Sequence, residues 1–176
     1  MIDLLCFDTD CISSFLWVDA EYILTDLYSG RIIIPQQVYA ELSNPSVGHL
    51  RTRLDVLINK NNATVQQILI DSSEYSLYTK LTNTPDEGNV VIGKGEAAAI
   101  ALASKLSAIA ASNNIKDVLP YVSKFNIRHI TTGDILVKAY KESLISEAQG
   151  NDIWSAMLAK RRRIGEASFT ERLNRD

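Results

Sequence analysis

The chain has 176 residues, 46% hydrophobic and 22% charged, with 18 Lys+Arg against 21 Asp+Glu and a net charge of −3. This length and composition fit a single domain with its own core, and they exclude a disordered or collagen-like chain. The acidic balance argues against a generic nucleic-acid coat, although not against a nuclease, and His49 and His129 lack the spacing of a zinc site or a Ser-His-Asp triad.

Ile2 to Phe7 is an apolar run of strand length that ends in Asp8-Thr9-Asp10. Cys6 lies inside it and reads as a buried thiol, and with Cys11 it is too little for a disulfide framework. Ser13 to Trp17 and Ala20 to Tyr28 have helical apolar spacing, closed by Gly30. Ile32-Ile33-Ile34 is a β-branched strand, and Pro35 suits the first turn of a helix over Gln36 to Leu42. Ser43-Asn44-Pro45 ends that helix, and His49 to Ile58 forms another. Thr64 to Ile70 is β-rich, and Asp71-Ser72-Ser73 caps a helix running to about Leu81.

Asn83 to Gly95 is turn-rich and expected as a flexible loop. Glu96 to Leu106 is a strong alanine-rich helix. Ala108 to Ala111 reads as a small-residue strand, Ile115 to Phe125 as a helix and Arg128 to Thr131 as a last strand. Ile135 to Tyr140 and Ile153 to Lys160 are closing helices, with Trp154 and Met157 facing the core. The expected organisation is one domain over 1–160 and a basic polar tail over 161–176. No apolar run is long enough to span a bilayer and no leader-like segment opens the chain, so the expectation is a cytoplasmic protein without membrane contact.

Short apolar strands alternating with helices predict an α/β fold: about five parallel strands between two helical layers. In such sheets the ligand crevice lies beyond the carboxyl ends of the strands. Asp8 and Asp10 follow the first strand, although one acid would suffice as a helix cap. Glu41, on the helix after the second strand, shares a face with Val38 that should point at the core. Glu96 follows Gly93-Lys94-Gly95, and a first-turn glutamate also suits the helix dipole. Ser112-Asn113-Asn114 and then Asp117 follow the fourth strand, and Asp134 follows the fifth. Each acid has a local structural explanation; together they predict a carboxylate cluster that needs a counter-cation. Oxygen ligands without His or Cys select Mg²⁺ or Mn²⁺, which suit phosphodiester hydrolysis.

Four blocks in this order resemble the PIN-domain ribonucleases, and within them the VapC-like toxins of type II toxin–antitoxin pairs. They are Phe7-Asp8-Thr9-Asp10, Ile34 to Leu42, Gly93-Lys94-Gly95-Glu96 with the alanine-rich run to Ala103, and Ile130 to Leu136. The resemblance implies a small parallel sheet between helices and metal-dependent endonucleolytic RNA cleavage. It makes Asp8, Glu41 and Glu96 the first three acids of the site. The fourth acid position holds Asn113, which can lend a metal an oxygen but no charge, so Asn113 itself, Asp117 one turn on and, further away, Asp134 are the candidates to complete the metal set. A small antitoxin protein and a homodimer are the partners it implies.

A haloacid-dehalogenase-type phosphatase also begins with a strand-end Asp, but Asp10 is followed by Cys11-Ile12 and the position four after Asp134 is Lys138. A third reading, prompted by Asn113, is a degenerate domain that binds RNA or a partner without cutting. Lys160-Arg161-Arg162-Arg163 is the clear basic cluster, read as a solvated helix end, a phosphate contact or a dock for an acidic partner segment.

Overall fold

A computed structural model describes residues 3–175; Met1, Ile2 and Asp176 lie outside the described residues, so the predicted start of the first strand at Ile2 does too. The strands are β1 (Leu5–Phe7), β2 (Ile32–Pro35), β3 (Ala63–Gln66), β4 (Ile109–Ala111) and β5 (Arg128–Ile130). They form one parallel sheet in the order β3-β2-β1-β4-β5. The α/β expectation of about five parallel strands holds.

The strands are short and apolar because both faces are covered. Leu5, Phe7, Ile32, Ile34 and Ala111 point into one core, whereas Cys6, Ile33 and Ala110 point into the other. That is the period-two alternation of a strand. On the first face pack α1 (Thr9–Leu16), α2 (Glu21–Tyr28), α3 (Gln36–Glu41), α4 (Gly48–Asn59), α8 (Thr132–Lys141) and α9 (Glu147–Ala159). On the other pack α5 (Ser73–Asn83), α6 (Lys94–Leu106) and α7 (Ile115–Lys124). All the alanines of α6 are buried, so small side chains let this helix lie close to the sheet.

Local chemistry moves several boundaries. The first helix begins at Thr9 rather than Ser13, because Asp8 caps it by accepting from the Cys11 amide at 2.6 Å. The third strand stops at Gln66, short of the predicted Ile70. Asp86 pairs with Lys80 at 2.7 Å and with Lys124, and Ile92 is buried, so the predicted loop is tied to α5 and α7. Trp154 and Met157 are fully buried, in line with their core assignment.

The segment expected as a polar tail folds back onto the domain. It carries α10 (Phe169–Leu173), and Phe169 is fully buried beside Trp154, with ring centroids 6.1 Å apart. The Trp154 indole donates to the Glu166 carbonyl at 2.9 Å. A single aromatic thus anchors a stretch whose other residues are mostly polar. Both cysteines are free and buried, and burial pushes the Cys6 thiol up to about 12. Among the described residues no helix is long and apolar enough to cross a membrane.

Candidate functional site

The strand order reverses direction at β1: β2 and β3 extend the sheet on one side, β4 and β5 on the other. A crevice is expected at that switch, beyond the carboxyl ends of β1 and β4. The residues there are Asp8, whose amide donates to the Ala111 carbonyl at 2.9 Å, and Ser112-Asn113-Asn114.

Asp8 is fully buried. Its Oδ1 caps α1, whereas Oδ2 is buried without a hydrogen-bond partner. Burial is the main cause that pushes its carboxyl up to about 7; the nearby Ser112 hydroxyl and the Cys11 amide oppose this, and the charges of Asp10 and Glu96 add to it. Ser112 nevertheless forms no hydrogen bond to Oδ2 in ordinary geometry.

Asp10 and Glu96 both line a cleft of about 410 Å³, together with Asn113, Asn114, Arg161, Arg162 and Arg163. Glu96 is fixed at the start of α6: Oε2 accepts from the Gly93 amide at 3.0 Å and Oε1 from the Asn114 side chain at 2.8 Å. Glycine has no side chain to complete a capping box, so the glutamate supplies only the reciprocal half. The same Asn114 Nδ2 donates to Asp117 at 2.9 Å. A neutral amide that donates to both carboxylates offsets their mutual repulsion. Asn113 instead accepts from the Thr132 amide at 2.9 Å, which ties β4 to the start of α8.

Glu41 and Val38 share the face of α3 that meets Gly95, as the spacing predicts, but Val38 is buried whereas Glu41, at the helix end, is exposed rather than turned into the core. The helix is only six residues long and stops there. Glu41 accepts from the Thr9 hydroxyl and, at 3.1 Å, from the Gly95 amide. Gly95 is required by contact: a Cβ there would lie 2.6 Å from Thr9 Oγ1 and 3.1 Å from Glu41 Oε2. The starts of α1 and α6 therefore meet over Glu41, and Asn114 joins the start of α7 to Glu96. The positive ends of three helices face the carboxylates.

Asp134 stands apart. It forms a capping box with Thr131 and pairs with Arg172 beside a second cleft. Among the described residues no three His, Cys, Asp or Glu side chains are grouped to hold a metal ion, so Asp8, Glu41, Glu96 and Asp117 do not form one preassembled ligand cage. Mg²⁺, however, usually keeps several waters and takes one or two carboxylates plus substrate phosphate. The unpartnered Asp8 Oδ2, with Glu96 nearby, fits that demand. Sequence reading offers Thr9 only as a candidate helix cap and gives no contact to Asn114; that Thr9 meets Glu41 and Asn114 meets Glu96 and Asp117 depends on the fold.

A family model described as a PIN domain matches residues 4–175, nearly the whole chain. No curated protein matches it.

Proposed function

We propose, from the premise that this chain belongs to the PIN-domain family, that it is a metal-dependent endoribonuclease with its centre at Asp8 and Glu96. The observation that carries this reading is the fully buried Asp8 carboxyl with an unpartnered oxygen. A buried carboxylate is ordinarily paired or bound to a cation. Asp8 and Glu96 would hold Mg²⁺ or Mn²⁺; Glu41 is held at Gly95, next to Glu96, Asn114 links Glu96 to Asp117, and Asn113 lines the cleft with Glu96. When bound, the ion would neutralise charge on the phosphodiester and lower the pKa of a water for attack.

The chain's own groups set the stage for that step. Cys11 N–H holds one oxygen of Asp8, so the other stays directed away from the helix cap. Gly93 and Asn114 fix both oxygens of Glu96, and Thr9 with Gly95 fixes Glu41. Each carboxylate is thus oriented before substrate arrives, which reduces the ordering cost of binding. Asp117 acts through Asn114 rather than by direct approach.

We read the nuclease as the toxin of a toxin–antitoxin pair, acting as a homodimer with a small antitoxin. Four exposed apolar side chains support a protein partner: Leu69, Ile70, Val90 and Val91 are each more than half exposed. The test is cleavage of a mixed RNA pool, with and without Mn²⁺, by wild type and Asp8→Asn side by side. Metal-dependent cutting by wild type alone is expected. RNA left intact by both proteins would identify a binding domain, and equal cutting by both would remove Asp8 from the site. Growth inhibition on expression, lost in Asp8→Asn, tests the toxin role.

A further inference from the structure

The basic cluster at the end of α9 divides into two engaged cations and two available ones. Lys160 lies over the Trp17 ring, 5.4 Å from its centroid. Arg162 is half-buried and donates to Asp10 at 3.2 Å, to Ser13 at 3.3 Å and to the Lys160 carbonyl at 3.1 Å. It fastens the segment to α1. Arg161 and Arg163 are exposed, and among the described residues neither has an ion-pair partner. Both line the cleft that holds Asp10 and Glu96. Arg161 has a left-handed backbone, φ 58°, and its amide bonds the Leu158 carbonyl, so the chain turns sharply at the helix end.

Arg163 lies at a seam. A second cleft of about 350 Å³ shares Arg163 and Asn113 with the first and is also lined by Ile115, Thr131 and Ile164. It offers two apolar side chains beside polar ones, which suits a nucleobase. Cations beside the Asp10 and Glu96 carboxylates have an evident use if the ligand is a polyanion that must approach those acids.

We infer that Arg161 and Arg163 hold RNA phosphates over the Glu96 cleft, and that the neighbouring cleft takes the next nucleotide through Ile115. This rests on the ribonuclease reading and adds to it which residues grip the substrate. Arg162 and Asp10 act as positioning residues that keep the two arginines at the rim.

The test is binding of a fluorescein-labelled single-stranded RNA 12-mer, followed by anisotropy in EDTA across a KCl series, so that no metal takes part. Each lost phosphate contact should make the slope of log K against log[salt] shallower by about 0.7. Arg161→Asn/Arg163→Gln should therefore lower the slope by about 1.4 in magnitude and weaken binding at low salt at least tenfold. Asn tolerates the left-handed backbone at position 161, and Arg163→Gln alone should give half the slope change if the double variant folds poorly. Ile115→Ala should weaken binding severalfold without altering the slope. Wild-type slopes in the arginine variants overturn the phosphate assignment, and wild-type affinity in Ile115→Ala overturns the second cleft. Unchanged RNA binding with lost binding of an oligoglutamate 12-mer would assign the arginines to an acidic protein and also overturn the inference. Cleavage by Asp8→Asn, measured in parallel in Mn²⁺, separates the two levels: cleavage surviving in it defeats the nuclease site whatever the arginines do.

Discussion

Asp8→Asn should inactivate the protein and, in the absence of metal, make it more stable at neutral pH. The Asp8 carboxyl is fully buried and is pushed from 3.8 to about 7, burial being the main cause. Below the unfolded value the carboxyl is protonated in both states and the shift costs nothing. As pH rises toward 7 the unfolded chain loses the proton and the folded one keeps it, so stability falls. At about 1.4 kcal/mol per unit, the loss reaches about 4 kcal/mol by pH 8. Asparagine keeps the acceptor for the Cys11 amide but buries an NH₂ group where Oδ2 has no partner, which costs about 1–3 kcal/mol. The net expectation is a variant about 1–3 kcal/mol more stable than wild type at pH 8, and less stable than it at pH 4. Urea denaturation in EDTA from pH 4 to 8 measures the difference. Saturating Mn²⁺ should then stabilise wild type and leave the variant unchanged. A difference that does not vary with pH would refute the argument, because it would mean that Asp8 ionises in the folded protein as freely as in water.

Glu96→Gln should abolish metal-dependent RNA cleavage while leaving the urea midpoint close to wild type, since the glutamine oxygen can still accept from Gly93 or Asn114; retained turnover would exclude Glu96 as a ligand. Gly95→Ala places a methyl 2.6 Å from Thr9 Oγ1, so the Thr9–Glu41 bond must break. A stability loss of about 1–3 kcal/mol with reduced cleavage is expected, and full activity would show that Glu41 needs no such orientation. Gly150→Ala drives a methyl to 2.2 Å from the Phe169 ring and should displace α10 from α9, lowering Tm by several degrees in calorimetry. Asp134→Asn removes the Arg172 pair and should cost about 1 kcal/mol while cleavage persists; lost cleavage in a folded variant would return Asp134 to the metal site.

The sequence by itself determined the layered α/β architecture and the placing of acids after strand ends. Both are local signals. A run such as Ile32-Ile33-Ile34 is apolar on two faces because helices cover both, and Asp8 follows Phe7 whatever the rest of the chain does. Tertiary structure alone decided how those acids differ. Asp8 is buried with a free oxygen because β1 is central and flanked by β2 and β4, whereas Glu41 is exposed because α3 ends there. Asn113 and Asn114 are neighbours in sequence, yet one ties down α8 and the other links Glu96 to Asp117. Asp134 caps a helix and meets Arg172, 38 positions away. Phe169 converts a polar stretch into a packed one, and the Arg162–Asp10 pair brings Arg161 and Arg163 to a cleft shared with Glu96, Asn113 and Asn114. Charge pattern along a chain records how many ionic groups there are; only the crossovers of the fold decide which of them share a low-dielectric space and which find a partner.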